Sequence, residues 1–203
     1  MTISKIRPIR SYVLRQGRLT KHQAEGVKSL SPLYAIPFGD NLLNWDAIFN
    51  NQGKRIIEIG FGMGHTTAEI AETLSDSNFI AIDVHSPGVG NLLNKIKEKN
   101  LKNLKIIQHD AVEVLEKMTL DESIDAIHIF FPDPWHKKRH NKRRLIQQTF
   151  LELISRKLKK EGYIHIATDW EDYANWIIEI FKNNSMYKAK NIDFSKKPSY
   201  RPK

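Results

Sequence analysis

The sequence of 203 residues predicts an α/β protein built on a doubly wound, mostly parallel β-sheet. Three observations support this prediction. Short apolar runs alternate with helix-length amphipathic stretches from about residue 54 onward. A glycine-rich turn follows the first apolar run, and acidic residues stand at the ends of the next two. Alternation of this kind favours parallel strands joined by right-handed crossovers, with helices on both faces of the sheet.

The individual elements follow from the positions of these runs. Five strands are predicted at 55–59, 79–83, 104–108, 124–130 and 163–167. Helices are predicted after each strand in turn, at 66–74, 90–100, 111–118, 145–160 and 170–183. A last extended piece is expected at 187–194. Residues 1–52 are interpreted as a basic N-terminal arm and lead-in, and residues 53–203 as the main domain.

Composition narrows the class of protein. Apolar residues make up 40% of the chain and charged residues 27%, which is typical of a soluble globular protein. The chain has no cysteine, so disulfides and thiolate metal sites are excluded, and a cytoplasmic location is expected. No apolar run approaches the roughly 20 residues of a membrane span, and the histidines lack a ligand spacing. We therefore expect neither membrane insertion nor a bound metal.

The net charge of +9 is concentrated in two segments. Residues 1–30 carry a net charge of +6, residues 137–144 carry another +6 without any acidic residue, and the remaining chain is slightly acidic. Two basic segments on an acidic body indicate a polyanionic partner. The alternative is a basic face that only contacts solvent.

A cofactor site is indicated by three glycines after the first strand. Gly60, Gly62 and Gly64 permit a tight turn and let a ligand approach the backbone at the start of a helix. A dinucleotide-binding fingerprint read from Gly60 needs a small residue at position 65, where His65 stands. The spacing is instead Glu-x-Gly-x-Gly-x-Gly, which starts at Glu58.

This spacing resembles the first motif of class I S-adenosylmethionine-dependent methyltransferases, which have a Rossmann-like fold. The resemblance implies that Glu58 neutralises the ammonium group of the cofactor. Asp83, at the end of the second strand, is placed to accept the ribose hydroxyls, and Asp110, after the third strand, to hold the adenine amino group. Each carboxylate alone also fits a helix N-cap or a surface acid. Their order along three strands favours S-adenosylmethionine as the cofactor.

The segment 130–144 follows the fourth strand and is expected to face the cofactor. Pro132 and Pro134 stiffen it and fix the orientation of Asp133, our candidate catalytic residue and a further cofactor contact. The alternative is a tight turn with Trp135 packed in the core.

The chain resembles the bacterial tRNA (guanine-N7-)-methyltransferase family over essentially its whole length. The matching segments are 10–18, 58–64, 83–90, 109–111, 130–144 and 167–170. The resemblance implies transfer of a methyl group to guanine 46 in the variable loop of tRNA. It also implies that tRNA is bound by residues of the basic run and by one acidic residue beyond the fifth strand: Lys137, Arg139, His140, Asn141, Lys142, Arg143, Arg144 and Asp169.

The chain departs from this family at its C-terminus. Family members continue past Arg201-Pro202 into a Thr-Lys-Phe-Glu segment and a final strand, whereas this sequence stops at Lys203. We therefore expect a fragment or a shortened protein, whose sheet lacks its last strand. Two other functions stay open: an inactive RNA-binding relic, and a methyltransferase for another substrate. Either a monomer or a homodimer fits the sequence.

Overall fold

A computed structural model describes residues 10–12 and 17–189. The helices, numbered α1 to α7, are Lys21–Tyr34, Trp45–Phe49, His65–Thr73, Ser86–Glu98, Ala111–Met118, Gln148–Lys157 and Glu171–Lys182. The strands, numbered β1 to β5, are Lys54–Ile59, Ser77–Ile82, Leu104–Ile107, Ile124–Phe130 and Leu158–Ala167. A 3-10 helix, Lys138–Arg143, follows β4. No helix in this described part of the chain has the length and apolarity to cross a bilayer.

The five strands form one parallel sheet in the order β3-β2-β1-β4-β5. Alternate side chains of each strand point to opposite faces, and both faces are covered. Ile57 of β1 belongs to a core shared with α2, α5 and α6, whereas Ile56 belongs to a core shared with α1, α3 and α4. The predicted doubly wound α/β architecture is thus confirmed, because near-continuous apolar strands require helices on both sides.

The helix predicted at 90–100 begins earlier, at Ser86. Pro87 occupies its first turn, where a fixed φ and a missing N–H are tolerated. Gly88 and Gly90 then lie inside α4, although glycine lowers helix propensity. Both are needed because other chain segments pass close to their backbone: a Cβ on Gly90 would lie 2.6 Å from the carbonyl oxygen of Gln23 on α1.

The helix α1, which packs on α4, was not predicted from the sequence. A capping box starts this helix: the Thr20 hydroxyl accepts from the N–H of Gln23, and the Gln23 side chain accepts from the N–H of Thr20. Asn94 of α4 donates to the carbonyl oxygen of His22 at 3.1 Å and ties the two helices together. The first 52 residues therefore include a helix of 14 residues in contact with the sheet domain.

The extended piece predicted at 187–194 lies mostly outside the described residues. The prediction that the sheet lacks its last strand also concerns residues outside the described part. Within its described part, Tyr187 packs on Phe181, and its hydroxyl lies 2.7 Å from that of Ser155. Residues 187–189 are not in a strand.

The strand β5 is longer than predicted because it begins directly where α6 ends. Its register with β4 is interrupted: Ile124 pairs with Leu158, but Ala126 pairs with Tyr163. The segment 159–162 thus bulges out of the ladder, and Gly162 lies where a Cβ would be 2.9 Å from the carbonyl oxygen of Lys159. Beyond the bulge the pairing runs without interruption to Phe130 and Ala167 at the carboxyl edge.

Candidate active site

The glycine loop connects β1 to α3 through three left-handed backbone conformations. Gly60, Gly62 and Gly64 have φ values of 77°, 57° and 71°. Such conformations are costly for residues with a Cβ, which explains the three glycines at alternate positions. A Cβ on Gly60 or Gly62 would have no atom within 4 Å, so a ligand can approach the backbone there. A Cβ on Gly64 would lie 2.7 Å from Leu92, and this glycine therefore serves the packing of α3 on α4.

Asp83, which is predicted to bind the ribose, holds the glycine loop in place. Its Oδ2 accepts from the N–H of Gly62 at 2.8 Å, and its Oδ1 accepts from the N–H of His85 at 2.9 Å. Burial raises the pKa of Asp83, and the two backbone N–H groups oppose this rise by stabilising the carboxylate. The end of β2 and the loop after β1 are therefore bound together at the carboxyl edge of the sheet.

Gly88, which was not among the predicted site residues, lies against the same loop. A Cβ on Gly88 would lie 1.8 Å from the carbonyl oxygen of Gly62, so no other residue fits without moving the loop. The signal was present in the sequence as a glycine directly after Pro87. It could not be interpreted without the tertiary fold that brings α4 to Gly62.

Glu58 is buried at the end of β1, with 2% of its surface exposed. Its Oε1 accepts from the hydroxyl of Thr67 on α3 at 2.9 Å, while its Oε2 is buried without a hydrogen-bond partner. Burial raises the pKa of Glu58 to about 7, and the nearby Asp83 carboxylate contributes to the rise. A buried, unpaired carboxylate oxygen has a strong preference for a cationic or N–H donor.

The predicted adenine ligand, Asp110, caps α5. Its Oδ1 accepts from the N–H of Val112 at 2.9 Å, which is the N-cap role expected as the alternative. Asp110 also lines a cavity of about 200 Å³ together with Val84 and His109. Tyr12 lines it as well, and burial together with the Asp110 carboxylate raises the pKa of its hydroxyl.

The loop after β4 has a strained backbone. Phe131 and Trp135 both have positive φ values, 50° and 46°, which are rare for bulky residues. Asp133 lies between them with its carboxylate exposed at the carboxyl edge, where its Oδ1 accepts from the N–H of Trp135 at 3.1 Å. The indole of Trp135 is buried and donates to the carbonyl oxygen of Ser11 at 3.0 Å. The loop thus combines a buried Trp135 with an exposed Asp133.

The basic run divides into exposed and inward-facing side chains. Lys137, Arg139 and Lys142 are exposed around the 3-10 helix. Arg143 is half-buried, with its guanidinium 4.3 Å from the centre of the Trp135 ring, and it donates to the carbonyl oxygen of Arg10. Two further members of the run also contact the loop. The ring of His140 packs edge-on against Trp135, and the amide of Asn141, with its nitrogen and oxygen exchanged, donates to the Trp135 carbonyl oxygen at 2.9 Å.

Arg144 is predicted to contact tRNA, but it lies inside the fold. Only 1% of its side chain is exposed. Its guanidinium donates to the carbonyl oxygen of Pro134 at 2.9 Å and forms an ion pair with Asp172 of α7. The basic sequence alone does not show that Arg144 is buried and its neighbours are exposed, because this burial depends on the packing of α7.

The carboxyl end of β5 adds further exposed groups to this edge. Asp169 is exposed directly after the strand, and Trp170 is 43% exposed. The rings of Trp170 and His136 lie 6.2 Å apart, and Phe131, beyond β4, is 49% exposed. Because Phe130 pairs with Ala167, the segments that follow β4 and β5 are neighbours.

The structure thus gathers the predicted residues at the carboxyl edge of three adjacent strands, β2, β1 and β4, where open parallel sheets bind ligands. Asp110 and Asp169 follow the two outer strands, β3 and β5. Among the described residues, no group of three or more histidine, aspartate or glutamate side chains is arranged to hold a metal ion.

Known proteins that are similar to this chain show its family. A family model described as "Putative methyltransferase" matches residues 52–202. The tRNA (guanine-N(7)-)-methyltransferase of Methylobacillus flagellatus is 50% identical over 197 residues, covering 97% of this chain and 83% of that protein. The relative of the same name from Neisseria meningitidis serogroup C is also 50% identical, covering 97% of this chain and 82% of that protein.

A solved structure shows the same fold at much lower similarity. The precorrin-6y C5,15-methyltransferase from Geobacter metallireducens has a TM-score of 0.52 and 16% identity, and the match covers 68% of this chain and 67% of that one. The predicted methyltransferase fold is thereby confirmed, and the sequence matches identify the family. The chain belongs to the tRNA (guanine-N(7)-)-methyltransferase family.

Proposed function

We propose that this protein transfers a methyl group from S-adenosylmethionine to N7 of guanine 46 in the tRNA variable loop, in the cytoplasm. The observation that carries the proposal is the position of Asp133. It lies at the carboxyl edge of β4, next to the β1 strand that leads into the glycine loop, and its own loop continues into the exposed basic segment. A cofactor loop, an exposed carboxylate and a cationic surface therefore follow one another along a single edge.

The residues present fit S-adenosylmethionine. The buried Oε2 of Glu58 is an acceptor without a partner, and the cofactor carries an ammonium group that can donate to it. The open space beside Gly60 and Gly62 admits a ligand next to the backbone. Asp83 would hold the ribose and Asp110 the adenine. When bound, the cofactor supplies a methyl group on a positively charged sulfur.

The chemical step needs little from acid–base groups. Guanine N7 has a free lone pair at neutral pH, so no base is required to generate the nucleophile. With the cofactor held by Glu58, Asp83 and Asp110, the protein would have to orient N7 toward the methyl group. The cofactor would supply that methyl group from its positively charged sulfur, and the methylated purine would then carry the positive charge. A fixed carboxylate at Asp133 would stabilise this charge.

Asp133 and Asp169 also suit recognition of the base. Guanine N7 and O6 are both acceptors, so neither carboxylate faces them. The N1–H and N2–H₂ groups are donors, and the exposed carboxylates of Asp133 or Asp169 can accept from them. This arrangement requires a base that is splayed out of its stack. The exposed Trp170 and Phe131 then offer ring faces for such a base.

The exposed cations of the 3-10 helix suit the tRNA backbone. Lys137, Arg139 and Lys142 point away from the core and can contact phosphates. His140, Asn141 and Arg143 contact the Trp135 loop in the free protein, and any contact with tRNA would use what remains exposed of these half-buried residues.

The proposal is tested with labelled S-adenosylmethionine and transcribed tRNA. We expect methyl transfer to a tRNA with guanine at position 46 and none to the same tRNA with adenine there. A tRNA with 7-deazaguanosine at position 46 is the sharper control, because it keeps the Watson–Crick edge and lacks the accepting nitrogen. Equal labelling of the guanine and 7-deazaguanine tRNAs would exclude N7 of guanine 46 as the target. Binding of tRNA without any transfer would favour the RNA-binding relic.

A further inference from the structure

Arg144 lies inside the fold although it belongs to the most basic segment of the chain. Its side chain is 1% exposed, whereas that of its ion-pair partner Asp172 is 69% exposed. A cation taken out of water needs several compensating contacts, since a single exposed carboxylate is a weak partner. The structure provides them from two sides, the loop that follows β4 and the first turns of α7.

The contacts of the guanidinium use its planar geometry. Nε donates to the carbonyl oxygen of Pro134 at 2.9 Å, and Nη2 donates to Oδ2 of Asp172. The guanidinium carbon lies 4.9 Å from the centre of the Tyr173 ring and 5.2 Å from that of Trp176. One group therefore joins the residue that follows Asp133 to three side chains of one helix.

The same helix also holds the chain beyond Arg144. The hydroxyl of Tyr173 accepts from the N–H of Ile146 at 3.1 Å, and the indole of Trp176 donates to the carbonyl oxygen of Ile146 at 2.8 Å. Burial raises the pKa of the fully buried Tyr173 to about 12, and Asp133 is near enough to contribute to the rise. The stretch from Pro134 to Ile146 is thus anchored at both ends to α7.

We propose that Arg144 is a positioning residue, which fixes the Asp133 loop on α7 and has no contact with tRNA phosphate. The inference rests on the proposed function, because it takes Asp133 to be the group that acts on the base. Pro134 directly follows Asp133, so a shift of its carbonyl moves the carboxylate. Displacements of about 1 Å at such a group lower the rate by on the order of a hundredfold.

An arginine-to-lysine exchange separates the two roles. A phosphate contact needs a point charge, which lysine also supplies, whereas a lysine cannot donate in a planar fork to Pro134 and Asp172 or stack on two rings. For Arg144→Lys we expect kcat to fall by about tenfold or more, because the loop is displaced by part of an ångström. The affinity for tRNA and its salt dependence should stay as in the wild type.

Three comparison variants complete the experiment. Arg139→Ala removes an exposed cation of the same segment, so it should weaken tRNA binding and make the salt dependence shallower by about 0.7–0.9 units. Asp172→Asn removes the charge partner of Arg144 and should lower kcat by a smaller factor than Arg144→Lys, with tRNA affinity again unchanged. This variant also keeps the test possible if Arg144→Lys folds poorly. Glu179→Gln is a matched control on the same helix, since this exposed residue pairs only with Lys182 among the described residues.

Amide hydrogen exchange gives a readout that does not depend on catalysis. We expect faster exchange of residues 145–147 in Arg144→Lys and Asp172→Asn, and wild-type exchange in Arg139→Ala and Glu179→Gln. The inference is overturned if Arg144→Lys and Asp172→Asn keep wild-type kcat and exchange, or if Arg144→Ala acts like Arg139→Ala on tRNA affinity. If the wild-type chain does not methylate tRNA, the proposed function fails, and the exchange data alone then decide whether Arg144 fixes the loop.

Discussion

Asp83 accepts one backbone N–H from each side of the cofactor edge, that of Gly62 at 2.8 Å and that of His85 at 2.9 Å. A carboxylate has about four lone-pair directions, so these contacts leave acceptor capacity for a ligand. The residue can thus shape the glycine loop and hold the ribose at the same time.

Replacement of Asp83 by asparagine should weaken S-adenosylmethionine binding by about 1.5–3 kcal/mol, as expected for lost hydrogen bonds to a charged group. An amide nitrogen cannot accept from either backbone N–H, so one contact is lost whichever way the side chain is turned. Calorimetric titration measures the affinity, and Asp76→Asn at an exposed turn is the control. Unchanged affinity in a folded Asp83→Asn protein would remove Asp83 from the site.

Gly88→Ala should lower both the free energy of unfolding and the cofactor affinity. The added methyl group would lie 1.8 Å from the Gly62 carbonyl oxygen, so the glycine loop must move. Overpacking of this kind costs about 1–3 kcal/mol. Chemical denaturation and calorimetry measure the two effects. Gly39→Ala is the matched control, because a Cβ there has no atom within 4 Å, and equal behaviour of the two variants would contradict the close approach.

Glu58 should make the free protein less stable as pH rises. A carboxyl whose pKa is raised by folding contributes stability that is fully present below the unfolded value of 4.5 and is lost as pH rises through about 7. A shift of this size corresponds to about 3 kcal/mol. Denaturation between pH 4 and 8 should show this slope in the wild type and in the exposed-site control Glu98→Gln. In Glu58→Gln the slope should be shallower, although Asp83, whose pKa is also raised by burial, keeps part of it. An unchanged slope would place the titrating group elsewhere.

Asp133→Asn should lower kcat more than it raises the KM for either substrate, because the charge is needed most in the transition state. The amide keeps an oxygen that can accept from the N–H of Trp135, so the turn itself is preserved. Steady-state kinetics under saturating cofactor and tRNA measure the effect. Near wild-type turnover would leave Asp133 with the role of shaping the loop.

Trp170→Ala should weaken productive tRNA binding by about 1–3 kcal/mol, the usual contribution of one base stacked on an aromatic ring. Trp170→Phe keeps a ring face and should retain much of the affinity. The effect should disappear with a tRNA whose residue 46 is abasic, since no base is then available to stack. A loss of equal size with the abasic tRNA would show that Trp170 contacts another part of the RNA.

The strands and the glycine loop could be predicted because their signals are local. The run 55–59 contains three isoleucines, and three glycines at alternate positions follow it. Asp83 and Asp110 were placed correctly at strand ends, since spacing along the chain determines where a carboxylate leaves a parallel sheet. The second use of Asp83, as a clamp on Gly62, depends on a contact over 21 residues and has no local signal.

Burial of polar and glycine residues could not be predicted in the same way. Arg144 is separated from exposed Lys142 by one residue, and only the aromatic side chains of α7 make its position different. The helix predicted from residue 90 begins at Ser86. Gly88 and Gly90, which lower helix propensity, lie inside it because they allow close contacts with Gly62 and Gln23. Tertiary contact overrides local propensity at these positions.

The interruption in β5 determines where this fold can vary in length. Leu158 and Tyr163 are each paired to β4, so residues 159–162 form a closed loop between two fixed points. An insertion or deletion within 159–162 would change only the size of the bulge. A change of one residue between Tyr163 and Ala167 would instead turn every following side chain to the opposite face of the sheet and displace Asp169 by about 3.3 Å. We therefore expect relatives to differ in length at the bulge and to keep the same length between Tyr163 and Ala167, which leads to the carboxyl edge of the sheet.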